Sequence, residues 1–391
     1  MRILIAFDKF KESMSAQTTC EVAASAVAQA LPDARIETAP ISDGGEGFCE
    51  ILTLARNGRI SEHSVSGPCG ERRPAKLGMV EAAQIDNGTL KALGLNAIQG
   101  PLAIVEMAQA SGLWGLSKEL RKPWECSSFG TGQLIREAAN MGAGAILLGI
   151  GGSATVDLGL GALEALGLHF VDKHGERIEG IRPRDWARVH AIEGTPLPLP
   201  PIIIACDVDN PLLGPRGAAA AFGPQKGLLP EEVTAMDSGL ERMARLLLKH
   251  FGKPAETLNE TSGGAAGGIG WGLRAAYGAR YLPGFTLVWQ WMGLEKGLAE
   301  ADILITGEGR FDSGSLCGKG PGALAKTALE KGKRVFVFAG SVEDGIEDKL
   351  SNNERLRCVA ISPKDMPLNE AISQGPELLR ACICKEIVIF E

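Results

Sequence analysis

Short apolar runs punctuate the chain at both ends and are separated by stretches with helical spacing. Ile3–Phe7 is an apolar run closed by Asp8, the pattern of a buried parallel strand. Ser15 then caps a helix running through Val22, Ala26 and Ala30 to Pro32, and Arg35–Ile41 reads as the next strand. The last third repeats the alternation: strand Ile303–Thr306, helix Pro321–Lys331, strand Arg334–Ala339, strand Val359–Ser362 and helix Ala371–Lys385. Such alternation predicts an α/β protein with a doubly wound, Rossmann-like parallel sheet.

The middle of the chain is richer in glycine and less regular. Its strongest apolar runs are Ala145–Ile150 and Ile202–Ala205, with a proline-rich linker at Pro196–Pro201. The pattern predicts a second α/β domain, residues 67–286, inserted into a first domain made of residues 1–66 and 287–391. The active site is expected in the cleft between them.

Length and composition fit this picture. The chain has 391 residues, 45% of them hydrophobic, enough for two domains with substantial cores. Its 51 glycines follow no collagen period and imply tight turns and close backbone approaches. A formal net charge of −7 argues against a nucleic-acid partner. The nine cysteines form no CxxC pair, and the five histidines fall in no zinc-binding pattern, so reduced thiols and a cytoplasmic location are expected. Met1–Asp8 is too short an apolar stretch for a signal peptide. Ala143–Leu168 is interrupted by Ser153, Thr155, Asp157 and Glu164 and is not read as a membrane span.

In open parallel sheets, ligands bind beyond the carboxyl ends of the strands. Following each apolar run to its end finds a polar or glycine-rich cluster: Asp8–Ser13, Ser42–Gly47, Gly151–Asp157, Cys206–Asn210, Gly307–Asp312 and Gly340–Ser341. Gly151, Gly152, Ser153 and Thr155 before a helix read as an anion loop of backbone N–H groups; Gly130, Thr131 and Gly132 at the head of the helix Gln133–Asn140 offer another. Lys9, Lys11, Lys226 and Lys319 lie in or beside these motifs, and Lys11 is the favoured cation because it follows a strand and precedes a helix. The carboxylates on the same side are Asp8, Asp43, Glu46, Asp157, Asp207, Asp209, Glu308 and Asp312, of which Asp8 and Asp157 read best as turn or cap residues. Glycine loops, lysines and carboxylates together are the parts of phosphoryl transfer with Mg²⁺ held by one or two carboxylates and the phosphates. No GxxxxGK[ST] motif is present, so the chain is not a P-loop protein.

Nine motifs then occur in order: FDKFKES, SDGGEG, VEMAQASGL, FGTG, GIGGSAT, CDVDNPLLG, FGPQKG, GAAGGIG and ITGEGRFDS. Over nearly the whole chain the series resembles the bacterial glycerate kinases that share the SDGGEG and GGSAT signatures. The resemblance implies two α/β domains, one inserted in the other, and ATP- and Mg²⁺-dependent phosphorylation of D-glycerate. The implied product is 2-phosphoglycerate, with 3-phosphoglycerate as the close alternative. On this reading Lys11 and Asp207 are catalytic, and Lys11 matches the lysine of the family's KES motif. Ser13, Asp43, Gly44, Gly45 and Glu46 bind substrate. Gly130, Thr131, Gly132, Gly151, Gly152, Ser153, Thr155 and Lys319 bind phosphate, and Asp207, Glu308 and Asp312 hold the metal. The partner is a small molecule, with neither nucleic acid nor membrane, and a homo-oligomer is compatible with the chain. The family usually has Asn after GGSAT and Gly after the next Asp; here these are Val156 and Leu158. A non-catalytic sugar-acid sensor and a hydrolase are the rival readings. The first is disfavoured by the intact Lys11, Asp207 and GEGRFD cluster, the second by the lack of a recognisable nucleophile motif.

Overall fold

The computed structural model describes residues 1–42, 44–316, 320–350 and 354–388. Asp43 and Lys319 lie outside the described residues. The two main sheets are built from β1 Arg2–Phe7, β2 Arg35–Thr38, β3 Arg59–Ser66, β4 Arg72–Val80, β5 Leu102–Glu106, β6 Ala145–Gly149, β7 Ile202–Ala205, β8 Arg280–Leu282, β9 Ile303–Gly307, β10 Arg334–Ala339 and β11 Leu356–Ala360. The fold is mixed α/β with largely parallel sheets.

The chain divides into two compact units, Met1–Asp43 with Phe285–Glu391, and Gly44–Gly284. In the first, five parallel strands follow the order β11-β10-β9-β1-β2. The apolar runs are continuous because both faces of the sheet are covered. Ile3, Ile5 and Phe7 share a core with Cys20, Ala23 and Val27 of the helix Ala16–Ala30 and with Leu379 and Ile383 of the helix Gly375–Val388. Leu4 meets Gly297 of the helix Leu294–Glu300. Ser15 caps the first helix by accepting from the Thr18 N–H at 3.1 Å. β2 ends at Thr38, shorter than expected, although the N–H groups of Ala39 and Ile41 still donate to Ile5 O at 2.8 Å and Phe7 O at 3.0 Å. The expected single C-terminal helix is two, Leu368–Ser373 and Gly375–Val388. The break falls where the chain presses on Ser13, whose Oγ donates to the Ile372 carbonyl at 2.7 Å; a Cβ on Gly375 would stand 2.1 Å from that oxygen.

The second unit holds the sheet β8-β7-β6-β5-β4-β3. Strands β8, β7, β6 and β5 are parallel, β5, β6 and β7 being buried along their length, and β4 and β3 extend the sheet antiparallel. The boundaries therefore differ from those expected. Residues 44–66 belong with the second unit, because β3 pairs along its whole length with β4. The long helix Val233–Phe251 buries Met236, Leu240, Met243, Ala244, Leu247 and Leu248 on one stripe and stops at Gly252, φ +61°.

Candidate active site

In the second unit, three of the clusters read from the sequence come together at the carboxyl ends of β6 and β7. Gly44, φ +89°, lies across both ends; its Cβ position would be 3.3 Å from Ala205 Cβ, and a Cβ on Gly149 would stand 2.5 Å from the Gly44 carbonyl. The Gly151 N–H donates to that carbonyl at 3.0 Å, and a Cβ on Gly151 would be 2.6 Å from Gly45 Cα. Glycine is needed at 44, 149 and 151 because backbone passes against backbone. Asp207 stands half-buried just beyond the end of β7, and Glu46 is exposed at the turn into the helix Phe48–Ala55.

The loop after β6 is held from below. Gly152, φ +70°, is exposed at its tip. The Ala154 N–H donates to Ser111 O at 2.8 Å, and the Gly152 carbonyl accepts from Leu113 N–H at 2.9 Å. The N–H groups of Gly152 and Ser153 have no acceptor among the described residues. Underneath, Lys226 is 1% exposed, and its Nζ donates to Ser153 Oγ at 2.8 Å and Thr155 O at 2.7 Å. The π-helical turn Ala218–Phe222, the 3₁₀ turn Pro224–Lys226 and Gly227, φ +96°, deliver it there. Gly267 closes the other side, where a Cβ would meet Thr155 O at 2.1 Å.

Asp157 is the structural hub that the sequence suggested. Its buried carboxylate accepts from the Ser128 N–H and Oγ–H at 2.7 Å each, from Gly159 N–H at 3.2 Å and from Gly161 N–H at 3.3 Å. Burial raises its pKa, and those hydrogen bonds oppose the rise. Val156 is fully buried, so the position that is Asn in the family pattern serves here in the core. Leu158 sits at φ +58° where that pattern has Gly, a left-handed conformation that costs a branched residue about 1–2 kcal/mol.

The FGTG segment opens a helix, and two of its N–H groups are committed within it. The helix starts at Phe129, so Gly130 and Gly132 lie in its first turn, and the N–H groups of Thr131 and Gly132 already bond to the Ser128 carbonyl. Their glycines are required by packing: a Cβ at Gly130 would stand 1.8 Å from Ser66 O, and one at Gly132 would stand 2.4 Å from Ala162 O. The Thr131 hydroxyl is buried and donates to Ser111 Oγ at 2.8 Å.

Glu106, which the sequence reading passed over, closes β5 and is 1% exposed. It accepts from Cys49 N–H at 3.1 Å, so its carboxylate satisfies the start of the helix that follows Gly44–Gly47. A charged residue ending an apolar run was the signal, the same one that singled out Asp8. Burial pushes Glu106 up to about 7, with the Glu46 charge adding and the Cys49 and Gly47 N–H groups opposing. A carboxyl raised on folding contributes stability that is complete below its unfolded value of 4.5 and is lost as the pH climbs through about 7. Glu106→Gln, which keeps the acceptor and never ionises, is expected to match wild type near pH 4.5 and exceed its stability at pH 8 by roughly 3 kcal/mol. Thermal melts at both pH values check this; an equal change in melting temperature at both would contradict it.

In the first unit, the loops after β1 and β9 meet. Asp8 N–H donates to Gly307 O at 3.0 Å, and Gly309 lies against the Lys11 backbone. Lys11 is exposed, whereas Lys9 lies 3.7 Å from Asp8 Oδ1. Ser13 donates its hydroxyl to the Ile372 carbonyl and packs on Gly375, as described above. Asp312 closes its own turn: Oδ1 accepts from Gly314 N–H at 2.8 Å and Oδ2 pairs with Arg310 at 3.0 Å. Glu308 is half-buried beside it. Among the described residues, no group of three His, Cys, Asp or Glu is assembled that could hold a metal ion, and no helix is long and apolar enough to cross a membrane.

Comparison with known proteins carries the site further. Residues 3–389 match the Glycerate kinase family. The chain is 37% identical over 380 residues to a glycerate kinase of Halalkalibacterium halodurans, covering 96% of this chain and 95% of the relative. It is 36% identical over 349 residues to the glycerate 2-kinase of Escherichia coli K12, covering 88% and 87% of the two chains. A solved structure from Salmonella typhimurium LT2, named as glycerate kinase 2, superposes with a TM-score of 0.72 at 34% identity, covering 98% of this chain and 97% of that one. With its motifs in order and a match from end to end, this chain belongs to the glycerate kinase family.

Proposed function

We propose that the protein transfers the γ-phosphoryl group of ATP to the 2-hydroxyl of D-glycerate, giving 2-phosphoglycerate. One observation in the fold supports this beyond family membership. The Gly44–Gly45 turn and the Gly151–Thr155 loop are built against each other at the carboxyl ends of β6 and β7, with two uncommitted N–H groups at Gly152 and Ser153. Backbone donors at such a position suit phosphate oxygens. In this reading Asp207 takes the hydroxyl proton, and Gly44, Gly45 and Glu46 line the glycerate side. Lys11 meets the charge on the transferring group or the substrate carboxylate.

The residues fit Mg²⁺ in only one manner. With no three-carboxylate cluster among the described residues, the chain offers no all-protein cage, whereas a half-buried carboxylate at Asp207 suits an ion that takes most of its ligands from phosphate and water. Asp207, Glu308 or Asp312 is proposed to hold it; when bound it would neutralise phosphate charge. The regiochemistry follows the name of the Escherichia coli relative. A cytoplasmic location agrees with the use of ATP and with free thiols at Cys20, Cys49, Cys69, Cys126, Cys206, Cys358, Cys382 and Cys384. The net charge of −7 disfavours nucleic acid as a partner.

The test is direct. Purified protein with ATP, Mg²⁺ and D-glycerate, followed by phosphorus NMR, is expected to give the resonance of 2-phosphoglycerate. Accumulation of the 3-phospho isomer would reassign the attacked hydroxyl, and ATP consumption that releases only inorganic phosphate would favour a hydrolase.

A further inference from the structure

We propose that Lys226 is the positioning cation of the Gly151–Thr155 loop, fixing the Ser153 hydroxyl as a hydrogen-bond donor toward the anionic oxygens that the loop receives. The inference rests on the phosphate role given above to that loop. An ammonium has three N–H donors and no lone pair. In its 2.8 Å contact with Lys226 Nζ, Ser153 Oγ therefore accepts, and its own proton must point to another acceptor. The second partner of Nζ, Thr155 O at 2.7 Å, is a carbonyl and only accepts. One buried lysine thus turns an ambivalent hydroxyl into a donor beside the N–H groups of Gly152 and Ser153. The turn then offers donors alone, the arrangement an oxyanion selects.

Charge gives a second, independent reason. Lys226 is 1% exposed, yet the partners its Nζ meets among the described residues are a hydroxyl and a carbonyl, not a carboxylate. Asp157 is the nearby acid, but its oxygens are already taken by Ser128, Gly159 and Gly161. A buried ammonium resting on neutral acceptors is expensive, and an anion arriving on the loop offsets that expense. The titratable groups whose fields reach Lys226 are Asp157 and Cys126. Burial pushes the Cys126 thiol up to about 12, so it is neutral at neutral pH, and burial raises Asp157 as well. Burial pushes Lys226 down to about 7, against the pull of Asp157. Above neutral pH, an anion bound at the loop should therefore draw a proton onto Lys226.

Calorimetry on the full-length protein with the non-hydrolysable nucleotide AMP-PNP, in two buffers of different ionisation heat, tests this. At pH 8.5 the wild type is expected to take up close to one proton per nucleotide bound, falling toward none at pH 5.5. Lys226→Met is expected to weaken binding about tenfold or more and to abolish the uptake. Its melting temperature should stay near that of wild type, since an unpaired buried charge is replaced by a side chain of similar volume. Ser153→Ala should weaken binding and keep the uptake, and it decides the matter should Lys226→Met fail to fold. Wild-type protein that binds nucleotide without proton uptake, or Lys226→Met with unchanged affinity, overturns the inference while leaving the kinase reading intact. Wild-type protein that binds no nucleotide overturns the phosphate reading beneath it.

Discussion

Asp157→Ala is expected to lower the stability of the second unit by roughly 3–5 kcal/mol. The substitution strands the Ser128 N–H and hydroxyl and the Gly159 and Gly161 N–H groups, all turned inward on one buried carboxylate. Leaving a buried donor unsatisfied costs about 1–3 kcal/mol, and water has little access to repair it in a site with Asp157 at 1% exposure. For a unit of this length the melting temperature should fall by roughly 6–20 °C. Asp157→Asn keeps one acceptor oxygen and is expected to fall between the two. Differential scanning calorimetry of the three proteins measures it; an alanine variant that melts within about 2 °C of wild type would show that the donors find other partners. Activity should fall with stability, because Asp157 also positions the segment that ends the Gly151–Thr155 loop.

Lys11→Met is expected to lower kcat by about 10²–10³ with the melting temperature unchanged. The transferring phosphoryl group carries its charge on three equatorial oxygens, and catalysis there is mainly positioning and electrostatic stabilisation. Without a P-loop, another cation must meet that charge. Lys11 is exposed at the loop beyond β1, next to the Gly309 turn, so its removal opens no cavity. Lys9 already lies beside Asp8, at 3.7 Å, and Lys9→Met should be nearly silent. Steady-state kinetics with D-glycerate and ATP separate the two. A Lys11→Met enzyme retaining more than about a third of wild-type kcat, far from the loss expected for a transition-state contact, would move the role to Lys319.

Much of the architecture was legible in the chain because it is written locally. An apolar run such as Ile3–Phe7 or Ala145–Gly149 is long enough for one buried strand, and Ser15 marks a helix start by its own side chain. The rule that ligands gather beyond the carboxyl ends of parallel strands then selected the Gly151 and Asp207 segments, and the structure brings the Gly44 turn onto the same edge.

What the sequence by itself determined was therefore the alternation of elements, the family, and which loops face the carboxyl edge. The tertiary structure alone decided how the residues in those loops are packed and hydrogen-bonded. Gly130 and Gly152 look alike in sequence; the first is glycine because Ser66 O occupies the place of its Cβ, the second because the backbone turns left-handed at an exposed tip. Ser13 and Asp312 carry the right chemistry, and the fold also bonds them to Ile372 and to Arg310 and Gly314. Lys226 is a surface-loving residue type whose burial no local pattern announces, and Glu106 is marked only by its place at the end of an apolar run. Strand and helix preferences act within a few residues, whereas burial, hydrogen-bond commitment and steric room depend on groups far apart in the chain: Lys226 and Ser153, Glu106 and Cys49, Gly375 and Ser13.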